Sequence, residues 1–183
     1  MTTSTNTATG AWKLDPTHSI AEFAVKHMMV STVKGRFHNV AARIELNKDE
    51  PERSSVVAEV DVASVDTGLE MRDSHLRSDD FFSAERFPKI TFRSNKVEPA
   101  AEDRWFVTGE LTIRDVTREV VLDVEYGGHV ADPWGQERAG FSAHTSISRR
   151  EFGLNWNGLI ETGGVMVGDT VKINIEIEAV RES

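Results

Sequence analysis

TVKINIEIEAV, residues 170–180, alternates apolar and polar side chains without a break. The apolar positions are Val171, Ile173, Ile175, Ile177 and Ala179. A period of two is typical of a β-strand, because successive side chains point to opposite faces of the sheet. One apolar and one polar face predict an antiparallel sheet that buries only one side.

Seven further stretches alternate in the same way, which predicts a mainly β protein with eight strands: 18–29, 36–47, 54–66, 89–97, 104–114, 118–126, 137–148 and 170–180. Little sequence is left for helices that could cover the apolar face, so the sheet must close on itself or fold into two layers. A closed barrel is favoured over a sandwich, because closure removes the unpaired strand edges.

A barrel of about eight strands is either filled by its own side chains or able to hold one small ligand. Many of the predicted inward residues are small: Ala21, Val25, Ala42, Val56, Ala58, Val60, Val62, Val107, Ala143 and Thr145. Small residues leave room for an apolar guest, but a dry core needs the same alternation. Periodicity alone leaves both outcomes open.

The composition narrows the functional classes. The chain has 183 residues, a length typical of one domain, and it lacks cysteine, which excludes thiolate catalysis and Cys-based zinc sites. Its formal net charge of −9 opposes non-specific binding to nucleic acid or to anionic membrane surfaces. The sequence contains no apolar run of about 18 residues, so it predicts no integral membrane segment.

The first ten residues, MTTSTNTATG, lack the basic and apolar parts of a secretion signal. They predict a disordered polar leader over 1–10, followed by a single barrel domain over 11–183. A cytoplasmic location is the resulting expectation, and a periplasmic or secreted location would require an export leader that this sequence does not include.

Several segments, taken in order, carry a resemblance to a known family. They are WKLDPTHSIAEFAVKHMMVSTVKGRF, VDTG, RDSHL, DFF, FPKITFRS, GELTIRDVTREVVLDV, TSISRREFGLNW and GDTVKINIEIE. From about Trp12 to Val180, the chain resembles the YceI-like family of polyisoprenoid-binding, lipocalin-like proteins.

The resemblance implies an eight-stranded antiparallel barrel, with a helical insertion at about 69–83, whose apolar tunnel holds a long lipid such as a polyisoprenoid. It favours binding, sequestration or transport of that lipid without chemical change. Whether the protein forms a homodimer is left undecided. The residues expected to line the tunnel are Phe23, Val25, His27, Phe37, Val60, Ile90, Phe92, Leu111, Ile113, Phe141, Ile147, Ile173 and Ile175.

The stretch MRDSHLRSDDFF, residues 71–82, concentrates charged side chains. A helical wheel places Asp73, Ser74, Arg77 and Asp80 on a wet side, and places Leu69, Met71, Leu76 and Phe82 on an apolar stripe. The stripe also contains Arg72, His75 and Asp79. This trio is either a head-group or acid–base site or, as favoured here, a network that holds the helix over the barrel: Arg72 paired with Asp79, and His75 bonded to backbone.

A second short helical turn is predicted near 148–156, in SISRREFGLNW. Ser148 is expected to cap it, and Phe152 and Leu154 are expected to plug the barrel. The alternative gives its arginines a function, namely attraction of an anionic head group. Arg72, His75 and Arg149 are therefore the candidate head-group contacts.

Motifs for chemistry are missing from the sequence. The six histidines show no HxH, HxxxH or HExxH spacing, and neither a GxSxG elbow nor a phosphate-binding loop is found. The expectation is therefore no metal, no cofactor and no enzyme activity. Two alternatives remain: an enzyme acting on a hydrophobic substrate through Arg72, His75 and Asp79, and a filled barrel that serves as an interaction module.

Overall fold

A computed structural model describes residues 9–158 and 163–183. The strands are β1 Gly10–Leu14, β2 Ile20–His27, β3 Ser31–Phe37, β4 Val40–Leu46, β5 Ser55–Asp61, β6 Val65–Asp66, β7 Lys89–Ala101, β8 Arg104–Ile113, β9 Val116–Ala131, β10 Glu137–Ser148 and β11 Val167–Arg181. The helix α1 is Glu70–Arg77, and short 3-10 helices are Pro51–Arg53, Val62–Ser64 and Arg149–Phe152.

The strands form a closed antiparallel barrel. Neighbours follow the order β1, β4, β5, β7, β8, β9, β10 and β11, and the pairing of β1 with β11 closes the ring. The remaining strands pair in the order β11, β2, β3 and β6. Beyond the end of β1, β2 takes its place beside β11, and β3 and β6 lie in line with β4 and β5. The predicted eight-stranded barrel is confirmed.

Two strands escaped prediction. β1 is only five residues long, too short for a clear period, yet its Trp12 is fully buried. In β3 the alternation is broken by Gly35, where a Cβ atom would collide with the ring of Phe23. Most of the predicted leader, residues 1–8, lies outside the described residues, whereas Gly10 already belongs to β1.

The helical wheel of the insertion was wrong in two ways. The α-helix ends at Arg77, so a single wheel over 69–83 does not apply. Asp73, predicted on the wet side, is buried and accepts hydrogen bonds from the backbone N–H (2.8 Å) and hydroxyl (2.5 Å) of Thr67. Leu69 and Met71, predicted on the apolar side, are exposed instead. The bonds from Thr67, rather than hydrophobicity, set the rotation of this short helix.

Two groups of buried residues mark the two ends of the barrel. At one end, which we call the Trp12 end, the cluster is Trp12, Ile44, Tyr126, Ala139 and Ala179. The other end, called the helix end, carries α1, the β2–β3 turn and the segment 149–158. Phe152 and Leu154 are buried there, in the positions expected of a plug. Ser148 makes no capping bond, because its hydroxyl donates to Asp169 (2.6 Å).

Arg138 holds the Trp12 end together from outside the barrel. Its Nη1 donates to Asp15 (2.8 Å) and Glu178 (2.7 Å), and its Nε donates to Asp132 (2.9 Å). Hydrogen bonds from Thr17, His18 and Arg138 hold the pKa of Asp15 well below its usual range. Bonding to Arg138 likewise lowers the pKa of Asp132.

We expect this arrangement to make the protein acid-sensitive. A carboxylate with a lowered folded-state pKa stabilises the fold above its unfolded pKa, near about 4, and this stabilisation disappears as the pH falls further. Chemical denaturation between about pH 3 and 7 should therefore show a falling free energy of unfolding in acid. The Arg138→Met variant should show a flatter profile, and parallel profiles would contradict this assignment.

Candidate functional site: an apolar channel

The barrel interior is hollow. A cavity of about 430 Å³ runs through it, within the size range usual for ligand pockets. Val167 and Ile177 of β11 both line it. Ten residue steps at about 3.3 Å separate them along the strand, which amounts to roughly 25 Å along the barrel axis at the usual strand tilt. This modest volume spread over such a length describes a narrow channel.

The channel wall is apolar over most of its length. All of the predicted lining residues do line it: Phe23, Val25, His27, Phe37, Val60, Ile90, Phe92, Leu111, Ile113, Phe141, Ile147, Ile173 and Ile175. Their contact with a ligand stays a prediction. Further lining residues were not on that list, including Leu122, Val124, Trp156 and Met166. The first two share the inward parity of β9, so the alternation already pointed to them.

Arg72 and His75 lie at the helix end of the channel. Arg72 lines the cavity, and it donates from Nε to the hydroxyl of Thr67 (2.7 Å) and from Nη2 to the Thr67 carbonyl (2.9 Å). His75 also lines it, with its ring centroid 5.1 Å from that of Phe81 and 4.7 Å from that of Trp156. These edge-to-face contacts position the imidazole, and its Nε2 lies 2.8 Å from Asp80.

The trio Arg72, His75 and Asp79 does not converge. Asp79 is exposed and accepts a hydrogen bond from Ser83, so it makes neither the expected ion pair with Arg72 nor a contact with the cavity. The partner of His75 is a carboxylate rather than backbone. Both details of the predicted network were wrong, because the chain turns after Arg77 and carries residues 79 and 80 away from the helical positions.

Arg149 is almost completely buried at the helix end and lines the channel. Its guanidinium donates to the carbonyls of Leu154 (2.6 Å), Trp156 (2.9 Å), Gly168 (2.8 Å) and Val167 (3.2 Å). Burial lowers the pKa of Arg149. Its hydrogen-bonding capacity is thus largely used in joining the segment 149–158 to β11.

A group of possible metal ligands lies outside the channel. Among the described residues, ligand atoms of Asp15, His18 and Glu178 lie within 4.8 Å of one another. Sequence spacing could not reveal this group, because Glu178 is distant in the chain. Arg138 donates to both carboxylates, so a cation of the chain itself compensates their charge.

Comparison with known proteins assigns this chain to a family. The YceI-like domain matches residues 12–179. A UPF0312 protein of Staphylococcus aureus is 38% identical over 165 residues, which cover 90% of this chain and 94% of that protein.

Solved structures agree in fold. A YceI protein of Campylobacter jejuni is 34% identical with a TM-score of 0.74, covering 86% of this chain and 90% of that one. A polyisoprenoid binding domain from Saccharophagus degradans is 17% identical with a TM-score of 0.69, covering 93% and 98%. The part of the chain that the structure describes contains no helix with the length and apolar composition that a membrane span requires. By its sequence and its barrel, the chain belongs to the YceI-like family.

Proposed function

We propose that the protein binds one long apolar molecule of the polyisoprenoid class inside the barrel and sequesters or transports it unchanged. The observation that carries the proposal is the narrow apolar channel, whose wall offers almost no polar partner along its length. An extended hydrocarbon chain matches that shape. The name of the Saccharophagus degradans domain supports the ligand class, although its low identity shows a common fold alone.

The energetics favour recognition of the chain over recognition of the head group. Each buried methylene contributes about 0.8 kcal/mol, so affinity should rise with the number of isoprene units until the channel is full. We expect Arg72 and His75, which line the cavity at the helix end, to contact a polar head. Within residues 9–158 and 163–183, the hydrogen bonds of the Arg72 guanidinium use Nε and Nη2, and none uses Nη1.

Native mass spectrometry and lipid extraction of the purified protein test the proposal directly. We expect a copurifying lipophile, and added polyprenols should raise Tm by an amount that grows with chain length. The bound molecule should be recovered with unchanged mass after incubation, and a changed mass would instead indicate catalysis. Absence of both a copurifying lipophile and any thermal shift would rule out the proposed function.

The His75→Ala variant separates binding from catalysis. Since apolar burial supplies most of the affinity, we expect polyprenol affinity to stay within about tenfold of the parent, a range equivalent to about 1.4 kcal/mol. Isothermal titration with one polyprenol measures it. Complete loss of binding in a folded variant would show that the head group dominates recognition.

A further inference from the structure

The turn between β2 and β3 has an unusual composition. Met28 and Met29 occupy its central positions with φ of 50° and 63°, and the N–H of Val30 donates to the carbonyl of His27 (3.2 Å). Two-residue hairpin turns of this kind favour Asn-Gly, because a Cβ atom crowds the backbone carbonyl at positive φ; glycine has no Cβ, and the short polar side chain of Asn can hydrogen-bond locally. Here the two strained positions carry large apolar side chains, with Met28 40% and Met29 66% exposed, and the adjacent Val30 is 83% exposed.

Lysines surround this apolar tip on the outer face of the barrel. Ala24 of β2 pairs with Lys34 of β3 on one side and with Lys172 of β11 on the other. Lys26 lies on the same face of β2, two residues nearer the tip. All three lysines are exposed, and none of them makes a salt bridge within the described part of the chain.

The acidic residues nearby do not cancel these charges. Glu22 pairs with Arg36 in the sheet register, and Asp169 lies 3.5 Å from Arg150. No Asp or Glu occurs between Glu22 and Glu45. In a chain of net charge −9, the β2–β3 hairpin is therefore a local basic surface. No basic run marks this surface in the sequence, because the three lysines come from three separate strands.

We propose that the tip Met28–Val30 and the lysines 26, 34 and 172 dock on the surface of an anionic phospholipid bilayer. Apolar side chains that enter the interface, flanked by lysines that attract anionic lipids, are the pattern of a peripheral membrane contact. The acidic remainder of the protein opposes this contact only weakly, because salt screens charges beyond roughly 8–10 Å.

The position of the tip connects the docking surface to the channel. The N–H of Met28 donates to the carbonyl of Met166 (2.8 Å), and Met166 lines the cavity. A docked barrel would thus present its helix end to the bilayer, from which an apolar ligand could enter or leave. This purpose rests on the proposed function, whereas docking itself requires no ligand in the channel.

Vesicle cosedimentation tests the docking surface. The parent should bind vesicles of phosphatidylglycerol and phosphatidylcholine, should bind phosphatidylcholine vesicles much less, and should dissociate as salt is added. The Lys26→Gln, Lys34→Gln, Lys172→Gln triple variant should lose on the order of a hundredfold in partitioning, since each lysine contributes roughly fivefold near an anionic surface.

The Met28→Asn, Met29→Gly double variant guards against a folding artefact. It supplies the residues that this turn prefers, so its Tm should be at or above that of the parent while vesicle binding falls about tenfold or more. The matched control is Trp134→Ser, which removes an apolar side chain that is 83% exposed at the Trp12 end and should bind like the parent.

Several outcomes would overturn the docking proposal and leave the proposed ligand binding in the channel unaffected. They are a parent that ignores anionic vesicles, a double variant that binds as well as the parent, or loss of binding in Trp134→Ser. The parent could instead dimerise without binding vesicles, and the double variant could be monomeric. That result would show that the tip contacts a second copy of the chain rather than a bilayer. Polyprenol binding, measured without vesicles, reports on the proposed function separately.

Discussion

Arg149→Met should lower the free energy of unfolding by about 3–5 kcal/mol, because several backbone carbonyls lose their donor and each buried group left unsatisfied costs about 1–3 kcal/mol. Arg149 is only 3% exposed, and its guanidinium serves four backbone carbonyls. Methionine keeps much of the apolar stem but leaves those carbonyls without their donor. Denaturant unfolding followed by tryptophan fluorescence measures the difference.

Two companion variants sharpen this test. Arg149→Lys keeps the positive charge, but an ammonium lacks the planar fork that spans several carbonyls, so its stability should lie between those of Arg149→Met and the parent. Arg150→Met is the matched control, because Arg150 is exposed and its ion pair with Asp169 is long, at 3.5 Å. We expect a change below about 1 kcal/mol there. Equal losses at both positions would contradict the structural role of Arg149.

The same residue shows how far sequence reasoning reaches. SISRREFGLNW predicted a helical turn with buried Phe152 and Leu154, and both are buried. It could not predict that Arg149 would bond the carbonyls of residues 167 and 168, because that contact depends on how β11 returns beside β10. Local sequence fixes a turn, whereas the partner of a long side chain depends on the closed barrel.

Strand alternation predicted the barrel well because inward and outward positions differ so clearly in polarity. The parity of β7, β8 and β11 placed Ile90, Leu111 and Ile173 on the channel wall correctly. Alternation fails where a strand is very short or where glycine replaces an inward side chain, as in β1 and β3. It also cannot distinguish a filled interior from a hollow one, since the difference lies in side-chain volume summed around the ring.

The helical insertion resisted prediction for a different reason. A wheel assumes that hydrophobicity sets the rotation of a helix. In the two turns of α1, the bonds from Thr67 to Asp73 outweigh that preference and leave Met71 81% exposed. The edge-to-face contact between His75 and Trp156 could not be predicted from local sequence either, because Trp156 comes from a distant segment.

Ala58→Trp should abolish polyprenol binding while leaving the fold intact. Ala58 of β5 pairs with Ala42 on one side and Phe92 on the other, and all three line the channel. An indole at this position would project into a channel of only about 430 Å³. We expect the affinity to fall by about a hundredfold or more, equivalent to at least roughly 2.7 kcal/mol, because a blocked narrow channel cannot admit a continuous chain.

Thermal shift measurements with and without polyprenol distinguish the possible outcomes for Ala58→Trp. The ligand-free variant should unfold close to the parent, because the indole fills existing space, and its Tm should not respond to ligand. The matched control is Val57→Trp, on the neighbouring outward position that is 45% exposed, and it should keep the full ligand response. If Ala58→Trp instead lowered the ligand-free stability by about 1–3 kcal/mol, as overpacking does, the side chains would meet across the axis and the barrel would be filled. A full ligand response in a stable Ala58→Trp variant would place the ligand outside the channel. Both unexpected results contradict the proposed carrier, the first through the ligand-free stability and the second through the ligand-induced shift in Tm.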